Sequence, residues 1–281
     1  MQRSKALPTD AGVPPGALPD PLTLIAVSAL AYITAVALHE HLGHATACTL
    51  LGSHPTELGA FYINCDDARL TSLGIRLVAI AGPVVSLALG LVCLPLAARC
   101  SSPAAFYFTW LLGALGLMDA AGYPLFSGVS GLGDLGTTSD GALRGVRPEW
   151  AWRATETALG LIAYIAVVRY SARAIAPRLG GAGRERIHAA RLAFTWSYFT
   201  GAAVYLPIGL LNPRGLVIVL ISALASSMGG TSGLLWMSRV LGREPAVPGP
   251  GLYFPRSWGW VIVAAMLTIG YAVVFGPTLR P

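Results

Sequence analysis

The chain has 281 residues, of which 54% are hydrophobic and only 11% charged, and its mean hydropathy is +0.63. A soluble domain carries about 25% charged residues, so the composition excludes an ordinary soluble enzyme and places the chain among membrane proteins. The net charge of +6 is nearly all arginine, spread through the loops between apolar runs. That is a topology signal rather than a nucleic-acid surface, and no nucleic-acid partner is expected.

Residues 1–20 are rich in Pro, Gly and Ala and read as a disordered tail without a cleavable signal peptide. Residues 21–281 read as a single transmembrane domain. A span needs roughly 20 apolar residues. Seven stretches meet that length, near 22–50, 74–98, 104–126, 151–176, 192–211, 215–241 and 258–277. The fold class expected is an all-α, polytopic bundle of about seven spans in a lipid bilayer. Six spans with a re-entrant segment satisfy the same pattern, because only Asn212-Pro-Arg-Gly215 separates the fifth and sixth stretches. The expected location is the cell membrane, as a multi-pass integral protein. Arg169, Arg173, Arg178, Arg184, Arg186 and Arg191 put the loop between spans four and five on the cytoplasmic side. Arg144, Arg147 and Arg153, between spans three and four, run against that assignment.

After the first span, Leu58-Gly-Ala-Phe-Tyr-Ile-Asn-Cys65 is rich in aromatic and branched residues and predicts a short strand or hairpin. An exposed edge there would accept an extended peptide by strand addition. The four cysteines show no CxxC pairing, so neither a disulfide framework nor a cysteine-type zinc site is expected. Gly82, Ser86 and Gly90 are spaced four apart, a pattern that lets helix backbones approach closely and that reads first as packing.

Three of the five histidines fall within His39-Glu-His-Leu-Gly-His44, at the end of an uncharged apolar run. Ionisable side chains at membrane depth are costly and mark function. The helix of a zinc peptidase carries two histidines four residues apart with a glutamate beside the first. Here His39 and His44 are five apart, which in a regular α-helix separates them by about 140°. A single-turn π-bulge, which Gly43 would tolerate, returns both to one face. Otherwise Glu40 with His44, or His41 with His44, supplies the face, or no metal binds. His41 alone reads as solvated or as a neighbour of the site.

A catalytic zinc has three protein ligands and one open position. The third is sought among few acids: Asp134, in a glycine-rich segment at the membrane edge; Asp119, inside the third span; and, further out, Glu156.

His39-Glu40…Gly43-His44-Ala45, followed by Ala81-Gly-Pro-Val-Val-Ser-Leu87 in the next span, resembles the site-2-protease family of intramembrane zinc metalloproteases. Ser86 stands where an asparagine is usual, and two departures mark a divergent relative: the extra residue between the histidines, and the absence of the family's Asn-Pro-Asp-Gly-type segment, in place of which Asp134 stands in Gly-Asp-Leu-Gly. The resemblance covers about residues 36–136. It implies Zn2+ as cofactor, with His39, His44 and Asp134 (or Asp119) as metal ligands and Glu40 as the catalytic base. It also implies a membrane protein or peptide as substrate, a metalloprotease core over 21–136, and accessory spans over 150–281. Rival readings are an inactive metal-binding relative, a metal transporter, and a zinc hydrolase of lipid amides. The last would draw ligands from distant spans, where only His54 and His188, both read as loop residues, are available.

Overall fold

A computed structural model describes residues 18–138, 140–180, 183–242 and 251–281. The tail expected at the N-terminus lies, as far as residue 17, outside the described residues. Among the described residues the chain is a helical bundle with one small hairpin. The long helices are α1 (Pro21–Leu50), α2 (Ser72–Ala97), α3 (Pro103–Ser130), α4 (Glu149–Arg178), α5 (Gly183–Leu210), α6 (Leu216–Leu241) and α7 (Trp258–Phe275). Between α1 and α2, strands β1 (Pro55–Leu58) and β2 (Ile63–Cys65) pair antiparallel.

Local chemistry sets the boundaries. Asp20 caps α1 by accepting from the Thr23 N–H, with Pro21 in the first turn. Thr71 caps α2 and Ser102 caps α3 in the same way. Gly131, in the left-handed region at φ 78°, ends α3.

All helices but α5 are long and apolar enough to cross a bilayer by length and composition. Helix α5 has the length, at 28 residues, but carries Ser197, Tyr198, Thr200 and Tyr205 in its apolar half. These polar groups are turned inward. Ser197 Oγ lies 2.8 Å from both Ser28 Oγ and the Tyr107 hydroxyl, and Tyr205 donates to the Tyr32 carbonyl at 2.7 Å. Apolar surface faces outward instead. Ile262, Met266, Ile269 and Val273 along α7 are all exposed, as lipid-facing positions should be.

The helix ends gather into two groups. At one end Asp20 pairs with Arg256 at the start of α7, Arg178 bonds the carbonyls of Ala98 and Cys100, and Arg186 bonds that of Ala176. At the other end Arg214 and Arg280 both pair with Glu57 of the hairpin, and Asn212 bonds Thr278. Arg76 there donates to the carbonyls of Ala142 and Arg144. Each helix, α5 included, therefore runs from one end to the other, and consecutive helices alternate in direction. Burial opposes ionisation of Glu57, but hydrogen bonds from Arg280 and Tyr62 and the charge of Arg214 hold its carboxyl below the usual range.

Three expectations are corrected here. Cys48 and Cys65 form a disulfide, Cα to Cα 6.0 Å, because the hairpin folds back beneath the end of α1, a placement that cysteine spacing does not reveal. The β1 edge is not wholly open, since Leu58 pairs through both backbone groups with Leu279. His188 lies on α5, exposed, rather than in a loop.

Candidate metal centre

Helix α1 changes winding where the histidines lie. From Leu38 to Ala45 it is a π-helix, closed at its end by the Thr46 N–H on the His41 carbonyl, which the Thr46 hydroxyl also reaches at 3.1 Å. A π-helix bonds residues five apart, so His39 and His44 fall one above the other. Their Nε2 atoms are 3.1 Å apart. The other two pairings, Glu40 with His44 and His41 with His44, do not form the face. His41 is turned toward α7, its ring 4.2 Å from that of Phe275.

Asp134 completes the group. It lies four residues beyond the end of α3, in a segment that reverses through Gly131 and Gly133, both at positive φ. The backbone is anchored by Thr137 N–H on the Gly131 carbonyl and Ala142 N–H on that of Asp134. This irregular loop packs against protein, the condition on which such backbone is tolerated at membrane depth. Asp134 Oδ2 sits 3.1 Å from His39 Nε2 and 3.3 Å from His44 Nε2.

The outer nitrogens settle how the rings are protonated. His44 Nδ1 faces the Val78 carbonyl at 2.7 Å. A carbonyl only accepts, so in the neutral ring Nδ1 carries the proton and Nε2 keeps the lone pair. His39 Nδ1 lies 3.0 Å from Asp119 Oδ2 and 2.9 Å from Ser86 Oγ. The Ser86 hydroxyl donates to the same Asp119 oxygen at 2.6 Å, so the proton at His39 is again on Nδ1. Two imidazole lone pairs and a carboxylate oxygen therefore converge within 3.3 Å, an arrangement that calls for positive charge at its centre. Tetrahedral zinc with ligand bonds of about 2.0–2.1 Å places its donors roughly 3.3–3.4 Å apart. The triad fits a divalent ion such as Zn2+.

Asp119 is thus beside the triad but not in it; it orients His39, the role that a metal-binding histidine's second nitrogen commonly requires. Replacing it with alanine should lower zinc affinity about 10–100-fold, measured by competition with a chelator of known affinity. Glu156 stands apart on α4, with one carboxyl oxygen buried and without a hydrogen-bond partner among the described residues. Glu40 is buried within electrostatic reach of both imidazoles and both aspartates.

The small-residue row on α2 does more than pack. A methyl on Gly82 would overlap Nε2 of both His39 and His44, and one on Gly43 would sit 2.7 Å from the Gly82 Cα. Ser86 serves His39, and only Gly90 has the plain packing role, against Leu117 and the Gly113 carbonyl. Sequence reasoning did not find Tyr123, whose hydroxyl lies 3.1 Å from His39 Nε2. Its position four residues after Asp119, on the same face of α3, was the available signal. No protein-family model, curated protein or solved structure matches the chain, so the chemistry of the centre follows from its own atoms.

Proposed function

We propose that the protein is a membrane-embedded zinc metalloprotease that cleaves peptide bonds within or at the edge of the bilayer. One observation carries this reading: two imidazoles, each fixed by its outer nitrogen, converge with a carboxylate around one point inside an apolar bundle. His39, His44 and Asp134 would hold the ion. Zinc in such a site polarises a carbonyl and lowers the pKa of bound water to about 7. Glu40 accepts a proton from the attacking water and delivers it to the departing amine. The π-helix speaks against a decayed centre, since it brings the five-residue spacing to ligand geometry. Transport, which would draw ligands from several broken spans, is less well served by a π-turn and one loop.

Water and substrate reach the centre past Asp134, whose side chain is 22% exposed, against 5% and 8% for His39 and His44. Purified protein should hold one equivalent of zinc, and the His44→Ala and Asp134→Ala proteins close to none, by atomic emission. No zinc in the wild type, or equal zinc in the variants, would overturn the reading.

The bundle end nearer the site also fits the non-cytoplasmic side. It carries the Cys48–Cys65 disulfide, a bond at home in oxidising compartments. The opposite end holds the arginines of α4 and α5, which belong on the cytoplasmic side. Arg144 and Arg153 lie at the site end, where Arg153 bonds the carbonyls of Gly128 and Val129 and caps its own loop. In intact cells Arg69→Cys should react with a membrane-impermeant maleimide, and Arg178→Cys only after permeabilisation. The reverse pattern would place the site at the cytoplasm.

A further inference from the structure

The triad has two sides, and the side chains around them differ in kind. On the Nδ1 side lie the groups that fix the rings: Asp119, Ser86 and the Val78 carbonyl. On the Nε2 side, where the three donors converge, stands the hydroxyl of Tyr123. It is 3.1 Å from His39 Nε2. Its ring stacks on the His39 imidazole, centroids 5.0 Å apart and planes within 9°. The stacking fixes the direction in which the hydroxyl points. Because His39 Nε2 bears a lone pair, the phenol is the donor in that contact.

Resting on the protease reading, we propose that Tyr123 is a further catalytic residue, whose hydroxyl donates a hydrogen bond to the carbonyl oxygen of the peptide bond under attack. A phenol, with an ordinary pKa near 10, keeps its proton at neutral pH and serves as a donor. Once the His39 lone pair is engaged by a ligated ion, the hydroxyl proton loses that acceptor. It then points into the space where a substrate oxygen gathers negative charge. Ser86, the other hydroxyl near the centre, is committed to Asp119 at 2.6 Å and lies on the wrong side of the ring. A donor fixed in advance at that oxygen stabilises the transition state far more than the bound substrate.

The test uses Tyr123→Phe in the full chain, reconstituted in lipid. Phenylalanine keeps the ring stacked on His39, so the variant isolates the hydroxyl. The probes are zinc content, acetohydroxamate affinity read from the visible spectrum of the cobalt-substituted protein, and cleavage of a transmembrane model peptide. The expected result is unchanged zinc, acetohydroxamate binding weakened about tenfold, and kcat lowered about 10²–10³-fold with KM little altered. Wild-type hydroxamate affinity and turnover in the variant would overturn this assignment and leave the protease reading intact. Loss of zinc from the variant would make Tyr123 a metal ligand, and would also overturn it. A wild-type protein that binds neither zinc nor acetohydroxamate overturns both.

Discussion

Glutamine in place of Glu40 should abolish peptide cleavage while the protein retains one equivalent of zinc. The side chain keeps its size and its neighbours, so the π-helix has no reason to unwind. What disappears is the capacity to take a proton. Positioned proton transfer contributes about 10²–10⁴-fold to a rate, and the loss should fall in kcat within that range or beyond. Glu40 is 5% exposed and outside the convergent triad, which separates its role from metal holding. The measurement pairs turnover of a transmembrane peptide with zinc analysis on the same preparation. Wild-type turnover in the variant would remove Glu40 from the mechanism without touching the metal assignment.

The second large effect comes from a residue that has no functional group. Gly82→Ala should strip zinc from the protein, although every ligand remains in place. A methyl there overlaps the inner nitrogens of both histidines, and neither ring can retreat freely. Each is pinned at Nδ1, one by the Val78 carbonyl and one by Asp119 and Ser86. We expect zinc affinity to fall more than about 100-fold, beyond the usual loss when a group supporting a ligand is removed. Gly90→Ala is the control, because its methyl meets Leu117 and the Gly113 carbonyl instead. That variant should lose thermal stability and keep its zinc. Equal zinc loss in both would mean that helix packing alone, and not the contact with the imidazoles, governs the site.

Much of this centre was legible before any coordinates. An apolar run ending in three histidines and a glutamate marks the site by its cost alone. The one-residue excess between His39 and His44 demanded a π-turn if they share a metal, and a π-helix is what the chain forms from Leu38 to Ala45. The choice between Asp134 and Asp119 was harder, because both are acids near the same depth. It turns on the path of the loop after Ser130, set by two left-handed glycines, by backbone bonds within the loop and by Arg76 of α2 on the Ala142 and Arg144 carbonyls. Such closure is a tertiary property and leaves no period in the sequence. For the same reason the Cys48–Cys65 bond, the seating of Leu279 on Leu58 and the part of Tyr123 were hidden. Each depends on where a turn returns the chain. Helix α5 was legible by length, while its inward-facing hydroxyls, which lower its hydropathy, became intelligible only once Ser28, Tyr107 and Tyr32 were seen opposite them.

The Cys48–Cys65 bond joins the helix that carries both imidazoles to the hairpin at its foot, and neither cysteine belongs to the triad. A thiol reductant would cut this covalent tie while leaving the ligand set unaltered, and the hairpin would stay seated through Glu57 on Arg214 and Arg280 and through Leu58 on Leu279.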